Sequence, residues 1–441
     1  MNVRLFTSLY IILLFFLASY QDFIGEKFLG FIGQSPIIFL VPIFIFTEFL
    51  NYRKGKISFT KFEKIFLVYT LISLIIGLIN VATLFFQGIY SVHGENILIK
   101  VFKVLTYYGI IILFIRHLRF LFMRISLKEL CTTITVLLFI FLFLLVFEYI
   151  NLPYSFMNLH YTNPISNRIR FLTSESSYSG TIAIILFVMG IYLSKFSDSK
   201  MFAMFLKLLA SIFIFLYATL TASKGFMSTI LIVILLFIII SLYKRNRKSL
   251  FLIPFLIIGL FVAYIGLKDE LMKAFMMDIE GSTSLTTRLG TIIVSLVIFI
   301  KYPLGVGIGA YLYYFVDNLS IAQQYTSIVL NKVFNIYSLN FSEFNNFYYS
   351  GNGMSAKSWF FNNLLFNGFF AIFLYGYMIK RFISKDIPII LKFGSLFIIL
   401  GSIFYLSLDI KYEVWFFIAF LEFLLTKQKR GIYNEKNLYL A

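Results

Sequence analysis

The amino-acid sequence predicts an all-α polytopic membrane protein. Of its 441 residues, 60% are hydrophobic and only 13% are charged, which is more apolar than a soluble chain of this size requires. Apolar runs long enough to cross a bilayer, about 17–25 residues, recur along the chain. The Lys and Arg residues collect in alternate short segments between these runs, as the positive-inside bias predicts. We therefore expect a single integral membrane domain over residues 1–441.

The predicted spans follow one another with mostly short polar connections. The first run follows Arg4 and is not followed by a small-residue cleavage site, so we interpret it as a retained span rather than a signal peptide. The apolar runs cover residues 5–20, 30–49, 65–86, 98–115, 130–150, 178–194, 203–222, 226–242, 250–267, 359–379, 387–406 and, more briefly, 414–426. Together they predict about twelve transmembrane helices.

The basic segments predict the orientation. Those expected in the cytoplasm are 50–64, 116–129, 243–249, 380–385 and the C-terminal tail. One further apolar run, 289–300, must not cross the bilayer, because the last two basic segments would then lie outside. We therefore predict that 289–300 is a re-entrant or interfacial helix. Both termini are then cytoplasmic, and residues 268–358 form one large outer loop.

The formal net charge of +18 does not indicate nucleic acid here, since orientation in the bilayer accounts for most of the cations. The single cysteine, Cys131, excludes an internal disulfide or a cysteine metal cluster. The three histidines are far apart in sequence and lack metal-ligand spacing. We predict neither a metal site nor a cofactor.

The large outer loop is rich in Tyr, Asn, Ser and Gly, and its many aromatic residues argue against disorder. Aromatic rings stack on sugar rings and amides bond hydroxyl groups, so this composition suits carbohydrate. The alternative is a tyrosine-rich lid at the membrane interface. The chain has no detectable internal repeat, which disfavours transporter folds built from repeated halves.

A polar turn, I-R-F-L-T-S-E-S-S-Y-S at 169–179, lies between two apolar runs on the predicted outer side. The guanidinium of Arg170 can bind phosphate through two hydrogen bonds, and Glu175 can accept a proton from a sugar hydroxyl. Arg168 would share a face with Arg170 if the segment is extended, and Tyr178 closes the turn. The alternative is a local ion pair of Arg170 and Glu175 that holds the loop.

Three more cations are candidates for an anionic ligand such as a diphosphate. Lys224, in T-A-S-K-G, stands in a short outer turn against the orientation bias. Arg288 immediately precedes the run 289–300. Lys103 lies inside a predicted span, where a lysine is costly, and would face the ligand or pair with Glu148. The alternatives are a lipid headgroup for Lys224 and snorkelling to the interface for Arg288.

The order of four motifs resembles the O-antigen polymerase and O-antigen ligase superfamily. They are R-x-x-x-x-E-x-S-Y at 170–178, T-x-S-K-G at 221–225, R-L-G with an apolar helix and P-L-G-V-G-I-G at 288–309, and W-F-F-N-N-L-L-F-N-G at 359–368. The resemblance covers about residues 165–380. Two departures distinguish the chain from the ligases: Lys224 replaces the arginine of S-R-G, and Lys357 with Ser358 stands where ligases carry His-Asn. These departures, with E-S-S-Y, favour the polymerase type.

The resemblance implies a C-type glycosyltransferase-like fold in the bacterial inner membrane, with the large loop in the periplasm. It also implies a metal-independent, inverting glycosyltransferase whose donor glycan is linked to undecaprenyl diphosphate. Arg170, Arg288 and Lys224 would neutralise the diphosphate, and Glu175 would act as base or orient the acceptor. We place Lys103, Lys357 and Asn362 with Arg168 and Tyr178 among the substrate-binding residues. Expected partners are this lipid-linked oligosaccharide, membrane lipids and a chain-length regulator, but no nucleic acid.

The sequence therefore predicts a polymerase of lipid-linked surface-polysaccharide repeat units. An O-antigen ligase, which moves finished glycan onto lipid A core, is the nearest alternative. A lipid-linked oligosaccharide flippase is a second, although it predicts charges along a central pathway, whereas here the charges gather at span ends. A non-catalytic membrane scaffold is a third.

Overall fold

In a computed structural model, the described part of the chain forms a bundle of α-helices with one β-hairpin, whose two strands have two residues each. The structure describes residues 3–54, 58–162, 164–221, 223–243, 283–334, 336–337, 339–351 and 353–429. The predicted span 250–267, most of the basic loop 243–249, the start of the large loop and the end of the tail lie outside these residues.

Seventeen helices and two strands are described. The helices are Val3–Ser19 (α1), Glu26–Leu29 (α2), Val41–Lys54 (α3), Lys61–Phe86 (α4), Ile97–Phe122 (α5), Leu127–Ile150 (α6), Gly180–Leu193 (α7), Lys200–Leu220 (α8), Lys224–Tyr243 (α9), Thr283–Lys301 (α10), Tyr311–Asp317 (α11), Leu319–Phe334 (α12), Ser342–Asn345 (α13), Trp359–Asn367 (α14), Phe369–Phe382 (α15), Ile389–Phe404 (α16) and Tyr412–Lys429 (α17). Short 3₁₀ segments cover Gly30–Gln34, Pro36–Leu40, Met157–Leu159, Ser194–Phe196 and Asn346–Tyr348. The strands Ser91–Val92 (β1) and Glu95–Asn96 (β2) pair antiparallel.

Five segments of the described chain are long and apolar enough to cross a membrane: 36–53, 61–86, 97–122, 127–150 and 200–220. Four shorter apolar helices accompany them: 3–19, 180–196, 224–239 and 389–404. The chain is therefore a multi-pass membrane protein. The total of twelve spans and the glycosyltransferase type of the fold remain predictions.

The run 359–379 is not one continuous span, so this part of the prediction is wrong. Gly368 separates α14 from α15 with a φ of 51°, a left-handed conformation that glycine adopts without steric cost. A β-carbon on Gly368 would lie 1.9 Å from the carbonyl oxygen of Pro303, and that oxygen accepts the N–H of Phe369. The close approach of the 303–305 backbone breaks the helix here.

Gly368→Ala is expected to destabilise the protein by about 2–5 kcal/mol, because it adds backbone strain and overpacking at one position. The unfolding midpoint in detergent measures this effect. Gly376→Ala is the matched control, since a β-carbon there meets nothing within 4 Å. Equal midpoints for the two variants would contradict the role given to Gly368.

One end of the bundle, which we call the basic end, carries buried ion pairs between the predicted cytoplasmic segments. Glu63 of α4 contacts Arg116 at 3.3 Å and Arg119 at 2.5 Å, both near the end of α5. Arg381 of α15 bonds Glu422 of α17 at 2.8 Å. The structure thus brings these basic segments to one level, and the side of the membrane that they face remains a prediction.

Helix α10, which contains the run 289–300, lies across the opposite end of the bundle. Near its start, Arg288 acts electrostatically on Tyr405, which directly follows α16. Near its end, Phe299 packs its ring on Phe369 at the start of α15, with ring centroids 5.1 Å apart. Helices α15 and α16 form a hairpin whose turn lies at the basic end, so both ends of α10 sit at the other end. Its relation to a bilayer remains a prediction.

The helices that reach this end differ in length. Helices α4 and α5 have 26 residues each, whereas α7 has 14 and α16 has 16. At about 1.5 Å per residue, the longer helices extend ~15 Å beyond α16. The bilayer core is about 30 Å thick, so the ends of the short helices lie below the level that α4 and α5 reach. We call the region around the ends of these short helices the recess.

Candidate functional site

The loop Tyr405–Lys411 follows the short helix α16 at the recess and contacts several of the predicted site segments. The ring of Tyr405 would lie 3.4 Å from a β-carbon on Gly225, the neighbour of Lys224. The backbone carbonyl of Leu406 accepts the N–H of Trp359 at 2.8 Å. Segments around 225 and 359 therefore meet on this one stretch, which we call the hub loop.

The last residue of the hub loop, Lys411, contacts the predicted polar turn. Its Nζ donates to the carbonyl oxygen of Tyr178 at 2.9 Å and lies 4.2 Å from the centre of the Tyr178 ring. It also donates to Oε1 of Gln21 at 2.7 Å. Burial lowers the pKa of Lys411 to about 8, while the charges of Glu413 and Glu175 oppose this shift. Lys411 therefore carries a buried positive charge at neutral pH.

Arg288, Lys224 and Lys357 are all partly exposed, and each is linked to the hub loop directly or through a nearby residue of its segment. Burial raises the pKa of the Tyr178 and Tyr405 hydroxyls, and the positive charge of Arg288 partly reverses the shift. This places Arg288 within electrostatic reach of both rings. Lys224 begins α9 beside Gly225.

Lys357 precedes Ser358, whose hydroxyl donates to the carbonyl oxygens of Ser402 at 2.9 Å and Ile403 at 2.8 Å. These carbonyls belong to the last turn of α16, directly before the hub loop. Lys357 also has a φ of 30°, which is uncommon for a residue with a side chain. Three separate segments that carry cations, at 224, 288 and 357, are thus linked to one loop.

Arg170 is in a different environment from the one predicted. It is only 2% exposed, and burial lowers the pKa of its guanidinium while the carboxylates of Asp22 and Glu148 act to raise it. Glu148 also accepts the backbone N–H groups of Arg170 at 2.9 Å and Phe171 at 2.8 Å. Two protein carboxylates therefore act on the charge of Arg170. This arrangement favours the alternative in which the charge of Arg170 helps to hold the loop. The carboxylates that act on Arg170 are those of Asp22 and Glu148 rather than that of Glu175.

Three further predicted residues are not gathered at the recess. Arg168 is exposed whereas Arg170 is buried, so the expected shared face does not form. Lys103 is exposed on α5, and the expected pair with Glu148 does not form because Glu148 bonds the amides of the polar turn. Asn362 is buried, and its Oδ1 accepts the N–H of Ala356 at 2.7 Å, which indicates a structural role.

Glu175 is exposed, and its Oε2 accepts the hydroxyl of Ser177 at 3.2 Å. Its carbonyl accepts the N–H of Tyr178 at 3.0 Å, so the two residues form one turn at the edge of the recess. Glu175 and Tyr178 are therefore brought near Lys411. Whether they act on a substrate remains a prediction.

Sequence reasoning missed a carboxylate on the hub loop, Asp409. It is half-buried, and its Oδ1 accepts the indole N–H of Trp359 at 2.9 Å. Burial raises the pKa of Asp409 to about 6, although the hydrogen bonds of Trp359 and Ser407 act to lower it. Burial also raises the pKa of Tyr311, and the charge of Asp409 adds to that shift. Asp409 is thus a carboxylate that is oriented by Trp359 and whose pKa burial raises above its ordinary value.

A signal for the hub loop was present in the sequence. The stretch D-I-K-Y-E at 409–413 places three charged residues between two apolar runs, where charge is costly. The orientation argument counts only Lys and Arg, and this stretch has a single cation. Its two carboxylates were therefore overlooked.

The structure also pairs Asp22 with His160. Nδ1 of His160 lies 2.9 Å from Oδ2 of Asp22, and Oδ1 of Asp22 accepts the backbone N–H of Thr162 at 3.0 Å and its hydroxyl at 2.9 Å. Both side chains of the Asp22–His160 pair are 0% exposed. Asp22 thereby holds the loop that leads to Arg170 against the end of α1.

Asp22→Asn is expected to loosen this loop, since a buried polar group without its partner costs about 1–3 kcal/mol. Burial raises the pKa of Asp22, but the bonds from His160 and Thr162 outweigh it and hold the pKa below its usual value. Its stabilisation is therefore present above about pH 4 and is lost as the pH falls through the lower, folded-state pKa. Limited proteolysis within 151–162 should be faster in the variant, and Asp198→Asn, at an exposed site, should leave it unchanged.

No group of three or more His, Cys, Asp or Glu side chains that could hold a metal ion occurs in the part of the chain that the structure describes. The groups described near the recess are lysine and arginine cations, carboxylates and aromatic rings.

A comparison with curated proteins finds a relative described as "Uncharacterized 49.5 kDa protein in cps region" from Klebsiella pneumoniae. The two are 30% identical over 211 residues, which is 46% of this chain and 46% of the relative. The chain thus matches about half the length of this relative. No protein-family model matches the sequence.

Proposed function

We propose that this chain is an inner-membrane polymerase of lipid-linked surface-polysaccharide repeat units. The observation that carries the proposal is the hub loop, which bears the oriented carboxylate of Asp409. The hub loop contacts Gly225, the chain neighbour of Lys224, and bonds the N–H of Trp359, which closely follows Lys357. Arg288 acts electrostatically on Tyr405 of the same loop. The relative from a cps region supports a role in surface-polysaccharide biosynthesis. The recess would face the periplasm, and both termini would be cytoplasmic.

In the proposed reaction, a hydroxyl oxygen of the acceptor sugar attacks the anomeric carbon of the donor glycan. The bond between that carbon and the diphosphate oxygen breaks, and undecaprenyl diphosphate leaves with the electron pair. Lys224 and Arg288 stabilise the negative charge that develops on the leaving group, which is commonly a large catalytic contribution. Asp409 accepts the hydroxyl proton, and Glu175 at the edge of the recess orients the acceptor.

The charge pattern favours this reaction over transport. A flippase requires polar groups along a pathway through the bilayer, whereas the buried charged side chains of the described chain divide between ion pairs at the basic end and groups near the recess at the other. The core between these two ends is lined by apolar and aromatic side chains such as Phe66, Phe114 and Trp415, each 0% exposed.

Incubation of the purified protein with an undecaprenyl-diphosphate-linked repeat unit tests the function. A ladder of products that differ by one repeat unit is the expected result. Lipid A core supplied together with preformed polymer tests the ligase alternative, which predicts attachment without elongation. Failure to elongate any lipid-linked unit would overturn the proposal.

A further inference from the structure

Three segments of the described chain meet in one ring of polar contacts beneath the recess. Lys411 Nζ donates to Oε1 of Gln21, whose Nε2 donates to Oε2 of Glu413 at 2.6 Å. Oε1 of Glu413 accepts the hydroxyl of Thr181 at 2.6 Å, and Thr181 also lies 2.9 Å from the carbonyl oxygen of Tyr178. The bond from Lys411 to the same carbonyl closes the ring.

The two charged side chains of the ring are fully buried, so a gain in stability is a weak explanation for their presence. The side chains of Lys411 and Glu413 are both 0% exposed, and their charged atoms are 3.8 Å apart. Taking two charges out of water costs free energy that their attraction often fails to repay, and well-packed apolar replacements of such pairs are often neutral or stabilising. We therefore attribute this pair to the geometry that it fixes.

The geometry that the ring fixes is the turn that carries Glu175. Lys411 holds Tyr178 both through its carbonyl and beneath its ring. Tyr178 in turn donates its N–H to the carbonyl of Glu175, and that carbonyl also accepts the hydroxyl of Thr173 at 2.7 Å. Movement of Lys411 would therefore release the Glu175–Tyr178 turn at the edge of the recess.

We propose that Lys411 is a positioning residue, which holds the Glu175–Tyr178 turn in the conformation that receives the lipid-linked diphosphate sugar. This inference rests on the proposed function of the recess. The inference assigns a role to Lys411, which does not belong to the basic segments that predict orientation. Lys411 also lies outside the motifs at 170–178, 221–225 and 288–309. Without Lys411, the turn would remain attached to α7 but would sample several conformations, and substrate affinity would fall.

The test is the double substitution Lys411→Met with Glu413→Leu, which removes both charges at similar volume. The variant is expected to fold, because no buried charge is left unpaired, with a lower unfolding midpoint because the buried Gln21 amide loses both partners. Its KM for the lipid-linked repeat unit is expected to rise at least about tenfold with a smaller change in kcat, as for a loss of binding that ground and transition states share. Hydrogen exchange of amides 174–179 should become faster. Lys128→Met, at an exposed pair of the basic end, is the matched control.

Unchanged KM and unchanged exchange in a folded double variant would overturn the inference. The wild-type protein gives a second measurement that needs no variant: undecaprenyl diphosphate alone should slow exchange of amides 174–179, and absence of this protection would also overturn it. If the wild-type protein forms no ladder, the proposed function is wrong. If the wild-type protein forms a ladder and the double variant has an unchanged KM and unchanged exchange, only the role of Lys411 is wrong.

Discussion

Asp409→Asn is expected to reduce elongation by about 10²–10⁴-fold, the range typical of a lost general base. The substitution keeps the size of the side chain and an oxygen that can accept the indole N–H of Trp359, so the hub loop should retain its conformation. Only the capacity to take the acceptor proton is removed. Initial rates of ladder formation, with the unfolding midpoint measured in parallel, give the result.

The wild-type pH profile is part of the same prediction. Burial raises the pKa of Asp409 to about 6, and a base must be ionised to act. Elongation should therefore rise with pH, level off above about pH 6, and fall about tenfold per pH unit well below it. The variant should lose this dependence. Asp386→Asn, at an exposed position of the basic end, is the matched control, and a variant Asp409→Asn with wild-type rates would remove Asp409 from the mechanism.

Arg288→Ala is expected to lower kcat by about 10²–10³-fold, as when one preorganised charge at a developing anion is removed. Arg288 lies at the start of α10, within electrostatic reach of Tyr178 and Tyr405. Arg288→Lys keeps the charge but loses the two-pronged hydrogen bonding of a guanidinium, so its loss should be intermediate. Single repeat units should accumulate in cells that carry the alanine variant.

The comparison for Arg288 is Arg124→Ala, which removes an exposed arginine at the basic end whose guanidinium packs on Phe120 at 3.8 Å. It should insert and elongate normally. Arg170→Ala forms a useful contrast, because that cation is buried beside Asp22 and Glu148 and should lower stability as well as rate. Full elongation by Arg288→Ala protein at wild-type levels would show that the recess does not bind the diphosphate as proposed.

Sequence reasoning was most successful where local hydropathy decides the outcome. The runs 65–86, 98–115 and 130–150 correspond to α4, α5 and α6, because a long apolar segment must form a helix to satisfy its backbone in lipid. It was less successful at 359–379, where the approach of Pro303 breaks the helix at Gly368. That contact joins residues far apart in sequence, and no local pattern predicts it.

The candidate site shows the same division. The turn at 169–179 and the cations Lys224 and Arg288 were found from charge in apolar surroundings. Asp409 and Lys411 were overlooked, and the balance of Arg170 by Asp22 and Glu148 could not be anticipated. The bond between Gln21 and Glu413 joins positions 392 residues apart, so only the packing of α1 against α17 reveals it.

By itself, the sequence determined the membrane class, the position of most helices and the separation of basic segments from the others. These follow from the transfer of individual segments out of water, which depends on composition within about twenty residues. The tertiary structure alone decided which charges share the recess and which neutralise one another. Those relations depend on how helices pack, and a shift of one helical turn would pair different side chains.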